Sequence, residues 1–123
     1  MNSNDDVLTF MDACEQKERG LESRQALLYR NLICEEFTEL MKALEEHDTV
    51  EIADACADLK WVIEGLEHTL NLPNQEVWDE VARSNLSKIS PSGKVIKRED
   101  GKILKPAGWT PPNIKQVLES NRG

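Results

Sequence analysis

The chain has 123 residues, 39% hydrophobic and 31% charged, with a formal net charge of −8. That length fits one compact domain over residues 1–123, and the balance is that of a soluble, charge-rich helical protein. No apolar run is long enough to span a bilayer, residues 1–6 are too polar and acidic for a signal peptide, and so acidic a chain is a poor general nucleic-acid binder; the expected compartment is the cytoplasm.

In chain order, Val7, Phe10, Met11 and Cys14 are spaced like one helix face, with Gly20 as the breaker. Residues 25–46 predict a strong helix, because Leu28, Tyr29, Leu32, Ile33, Phe37, Leu40, Met41 and Leu44 recur at three and four residues. Residues 49–71 predict a second, with Ile52, Leu59, Ile63, Leu66 and Leu70 as its stripe and Thr49 as N-cap. So short a link predicts antiparallel packing of the two. Leu72-Pro73 ends the second helix, Asn74 can cap a third over 75–87, and Val77, Trp78 and Val81 point it inward. Two basic runs around Asp100-Gly101 predict a small β-hairpin, followed by a Pro-rich loop with Trp109 and a short helix over 113–119. The fold class is all-α: a bundle of four or five helices with that hairpin appended. Cys14, Cys34 and Cys56 are widely spaced and lack a CxxC pair, which argues against a disulfide framework or a zinc site. Cys34 and Cys56 fall on or near apolar faces and are expected as small core residues.

On a helical wheel Glu36 and Glu39 lie together at the border of the first apolar stripe, with Glu35 further round. On the next helix Glu51, Asp54 and Asp58 run along one flank at i, i+3 and i+7, beside the small residues Ala55 and Gly65. Acidic pairs at this spacing are common on solvated surfaces. Two such sets bordering apolar stripes on consecutive antiparallel helices are not, and Lys60 lies off the acidic flank. Facing carboxylates repel unless a cation sits between them, and hard oxygen ligands select Mg²⁺ or Mn²⁺. Such ions clamp a triphosphate and activate water for attack at phosphorus.

Glu35-Glu36-Phe37-Thr38-Glu39 followed by Glu51-Ile52-Ala53-Asp54 resembles the EExxE…ExxD signature of the all-α nucleoside triphosphate pyrophosphohydrolases, which include MazG, dimeric dUTPases and phosphoribosyl-ATP pyrophosphohydrolase. The run Ala57-Asp58-Leu59-Lys60-Trp61-Val62 is similar to that family's metal helix, so either Asp54 or Asp58 can be the signature aspartate. The resemblance implies hydrolysis of a nucleoside triphosphate to monophosphate and pyrophosphate, with phosphoribosyl-ATP or dUTP as narrower substrates. A silent helical binding module is the rival from another class. The resemblance also implies Glu36, Glu39, Glu51 and Asp54 as metal ligands, with Asp58 as a further member, and Glu35 as another ligand or the group that orients the water. Assembly as a dimer or dimer of dimers is implied as well.

The window from Lys88 to Lys105 carries +4 and the remainder −12. A triphosphate needs cations beyond its metal, and this segment offers them. It resembles the C-terminal part of MazG-like proteins, so that the likeness runs over about residues 26–118. By that resemblance Asn85 and Lys88 contact the nucleotide, Lys102 and Lys105 contact phosphate, and Trp109 is placed to stack on a base.

Overall fold

Helices in this chain begin where a short oxygen-bearing side chain can accept from the first turn. The computed structural model describes residues 2–121 and contains α1 (Ser3–Ala13), α2 (Arg24–Glu46), α3 (Thr49–Thr69), α4 (Asn74–Leu86) and α5 (Ile114–Ser120). The caps of α1, α2, α3 and α5 are Asn2, Ser23, Asp48 and Asn113, each accepting from a backbone N–H three residues on. Each such cap stabilises its helix by about 1 kcal/mol. Asp48, not the expected Thr49, caps α3, because its carboxylate reaches the amide of Glu51 at 3.2 Å. α4 starts after Pro73 without a side-chain cap.

The chain forms two compact units, one up to Leu72 and one from Pro73 onward. In the first, α2 and α3 form a hairpin turned by two residues, the left-handed His47 (φ 54°) and Asp48, and α1 packs on α3. Val7, Met11, Tyr29 and Val62 are buried at the centre, with Leu32, Ile33, Leu59 and Leu66 around them. Gly65 is a point of close approach, where only hydrogen leaves room for the Tyr29 ring. The loop after α1 is tied to the open end of the hairpin by buried polar groups. The Gln25 amide donates to Thr69 Oγ1 at 2.8 Å, Gln25 Oε1 accepts from the Glu18 amide, and the Thr69 carbonyl accepts from the Gly20 amide at 2.8 Å.

In the second unit, α4 packs against α5. Trp109 Nε1 donates to the Ser84 carbonyl at 2.8 Å, and Ser84 Oγ donates to the Thr110 carbonyl at 2.9 Å. Glu80 accepts from Arg83 and from the backbone amide of Asn113, which fixes the start of α5.

The all-α expectation holds, and several others change besides the cap of α3: Trp78, expected to point inward on α4, is 68% exposed. The C-terminal hairpin is not formed as strands: among the described residues it is reduced to one antiparallel bridge, Lys97 to Ile103, around a turn at Gly101 (φ +89°). An isolated pair of short strands is marginal in water, and Ile96, 64% exposed, has no face to bury against. α1 ends at Ala13, well before Gly20, with Cys14 exposed. Cys34 is exposed and Cys56 only half-buried, so neither is a core residue: the centre is filled by Tyr29 and Val62.

Candidate metal and nucleotide site

The antiparallel hairpin draws the two acidic sets into one line along the α2–α3 groove. Glu36 and Asp58 share one cavity wall, while Glu39, Glu46, Glu51 and Asp54 line a neighbouring cavity of about 380 Å³ with Lys42. Ala43 and Ala55, both buried, keep the helices close there. The crowding has an electrostatic signature. Burial first, then the charges of Glu39, Asp58 and Asp54, push the Glu36 carboxyl above its ordinary range. Burial, then Asp54 and Glu39, push Asp58 the same way.

Glu36 Oε2 is buried and has no hydrogen-bond partner among the described residues. A buried, unpaired carboxylate oxygen beside like charges is costly unless a cation or proton meets it. Among the described residues the carboxylates are spread along the groove and no three acidic, His or Cys side chains gather at one point as a finished ion site. The donor set is nevertheless all oxygen, and its orphaned oxygen faces other carboxylates. It therefore fits a hard divalent cation such as Mg²⁺ or Mn²⁺, and no soft one.

Both Asp54 and Asp58 belong to this line, one in each cavity. Glu35 is on the exposed side of α2 and lines neither cavity. The remaining candidates lie in the second unit. Lys88 Nζ donates to Asn85 Oδ1 at 3.1 Å, and the ammonium groups of Lys88 and Lys105 stand 5.5 and 4.6 Å from the Trp109 ring centroid. The Trp109 ring thus holds two cations. Lys102 is exposed, its backbone amide donating to Asp100.

Lys42, three residues beyond Glu39 on α2, lines the acidic cavity and makes no ion pair among the described residues. The sequence pattern assigns no functional role to Phe10, Gln16 and Trp61, which line the cavity at Glu36, and places Tyr29 in an apolar stripe. The one available signal is Gly65, a glycine inside a helical pattern, which marks a close approach.

A family model described as phosphoribosyl-ATP pyrophosphohydrolase matches residues 8–85. No curated protein matches the chain. The matched stretch is well over half the sequence and takes in every carboxylate of the groove. The chain therefore belongs to the phosphoribosyl-ATP pyrophosphohydrolase family, whose members are nucleotide pyrophosphohydrolases, with the acidic groove inside the shared region and the basic segment beyond it.

Proposed function

We propose that this chain, acting as one functional domain over residues 1–123, hydrolyses a nucleoside triphosphate to its monophosphate and pyrophosphate, using Mg²⁺ or Mn²⁺. The carrying observation is the line of repelling carboxylates with an orphaned oxygen on Glu36. Glu36, Glu39, Glu51, Asp54 and Asp58 would hold the metal. Bound there, the ion neutralises phosphate charge and makes water a better nucleophile. Water attacks the α-phosphorus, the bond from that phosphorus to the bridging oxygen breaks, and pyrophosphate leaves. Glu36 positions the metal end of the groove, and the resemblance alone assigns Glu35, which lines neither cavity, to the water. Lys42, the cation in the acidic cavity, would hold the leaving phosphates, while Asn85, Lys88, Lys102, Lys105 and Trp109, all in the second unit, are assigned to the nucleotide by the resemblance alone.

Phosphoribosyl-ATP is the second reading, favoured by the description of the matching family. The protein works in the cytoplasm, without nucleic acid or membrane as partner. No helix of the described residues is long and apolar enough to cross a membrane. Self-association is supported by the exposed stripe of Phe37, Met41 and Leu44 at i, i+4 and i+7 on α2, which a second copy, as dimer or tetramer, would cover.

The test is phosphorus-31 NMR of the protein with each nucleoside triphosphate and phosphoribosyl-ATP, with and without Mg²⁺. Metal-dependent appearance of monophosphate and pyrophosphate is expected, and Glu39→Gln with Asp54→Asn should abolish it. Orthophosphate and diphosphate as products would mean that another phosphorus is attacked and would remove this mechanism.

A further inference from the structure

At Glu36 and Asp58 the groove opens into a cavity of about 240 Å³ whose other walls are the rings of Phe10, Tyr29 and Trp61 with Gln16, Leu32 and Val62. Phe10 from α1 and Trp61 from α3 meet edge to face there, with centroids 5.7 Å apart and planes at 77°. Both rings keep large exposed faces, 49% and 37%, beside carboxylates that a hydrophobic core would exclude. Tyr29, 2% exposed, forms the floor. Its hydroxyl donates to Gln16 Oε1, which fixes that amide and leaves Gln16 Nε2, with two donor hydrogens, unbonded among the described residues.

The volume is below the roughly 300–1,000 Å³ that encloses a whole drug-sized ligand, so the cavity suits one ring system whose remainder continues outside. Its position says where that remainder goes. From Glu36 to Lys42 is about 9 Å along α2, past Glu39 and on to the acidic cavity. Both cavities carry carboxylates, but among the described residues the aromatic one has no cation in its lining, whereas the acidic one has Lys42 to pair with phosphate. A planar, uncharged heteroaromatic ring is accepted by its aromatic walls and by the fixed donor.

We propose that this cavity seats the base of the nucleotide, with Trp61 and Phe10 as stacking walls and the Gln16 amide as the group that reads a ring carbonyl or ring nitrogen, the phosphates running toward Lys42. The assignment rests on a nucleotide being the substrate, as proposed above. Base preference then resides in α1 and the loop that follows it, outside the carboxylate signature.

The experiment is a titration of ¹⁵N-labelled full-length protein in Mg²⁺ with the four common nucleoside monophosphates, and with ribose 5-phosphate as the base-free control. The Trp61 indole and Gln16 side-chain amide signals should shift with at least one nucleotide and stay in place with ribose 5-phosphate. Trp61→Ala should weaken that nucleotide about tenfold, as removal of a stacking partner does, and leave ribose 5-phosphate binding unchanged. Equal shifts with ribose 5-phosphate, or no shift at either signal at millimolar nucleotide, overturns the assignment on the unmodified chain, whatever the variant's stability. Selective binding without cleavage of any triphosphate would instead retain the pocket and defeat the hydrolase reading.

Discussion

Gly65→Ala tests a close contact between α3 and the Tyr29 ring of α2. A Cβ built at Gly65 would stand 2.1 Å from Tyr29 Cε1, 2.5 Å from Cζ and 2.6 Å from Cδ1, where ordinary contact begins at 3.4 Å. The ring must therefore retreat by about 1 Å or more, yet it is 2% exposed and its hydroxyl is tied to Gln16. Overpacking costs about 1–3 kcal/mol, and a ring held at both ends belongs at the top of that range. Alanine's better helix propensity offsets about 1 kcal/mol. The net expectation is about 2 kcal/mol of destabilisation, a fall of about 8–16 °C in the melting midpoint of a unit this size. Urea and thermal unfolding followed by helical circular dichroism would measure it. A Tyr29→Leu background supplies the control: with the ring gone, Gly65→Ala should become stabilising by about 1 kcal/mol, a coupling of about 3 kcal/mol. A neutral Gly65→Ala in the parent, or the same cost in both backgrounds, would refute the packing argument.

Glu36→Gln removes a charge that burial and three carboxylates oppose, so the metal-free variant should melt higher than the parent at neutral pH while losing the Mg²⁺-induced rise. Because Glu36 and Asp58 are shifted upward from 4.5 and 3.8, their protonated forms favour the fold at low pH. That contribution is lost as pH rises through the shifted values, so metal-free melting temperature should fall upward from about pH 4.5 in differential scanning fluorimetry. Glu80 behaves oppositely: Arg83 and the Asn113 amide hold it down at about 2, so its contribution is present above 4.5 and is lost as pH falls toward 2. Carbon-13 titration of the Glu80 carboxyl should show the low midpoint, and Asn113→Pro, which removes the donor amide, should raise it. Finally, Phe37→Asp with Met41→Asp should shift the protein to a smaller species in size-exclusion chromatography with light scattering, and an unchanged mass would remove the α2 stripe as the self-association surface.

What was legible in the sequence was whatever depends on position along a single helix. The recurrence of Leu32, Ile33, Leu40 and Leu44 gave α2 to within one residue, and the spacing of Glu51, Asp54 and Asp58 gave the acidic flank of α3. The short link at 47–48 gave the pairing of the two. What failed depends on contacts between distant segments. Nothing near Phe10 announces Trp61, fifty-one residues on, as its ring partner, and Gln16 looks like an ordinary loop amide until Tyr29 reaches it. The basic hairpin had the right turn at Asp100-Gly101, but turn chemistry alone cannot hold strands that have no sheet or core to join. Cys34 was misjudged because a helix stripe wider than its contact leaves its edge in solvent.

The two-residue turn at His47 and Asp48 meshes α2 and α3 like gears of fixed phase. Each residue added or removed there turns α3 by about 100°, enough to rotate Asp54 and Asp58 away from Glu36 and Glu39. Length variation among functional descendants of this chain is thus barred from the turn between the two acidic sets.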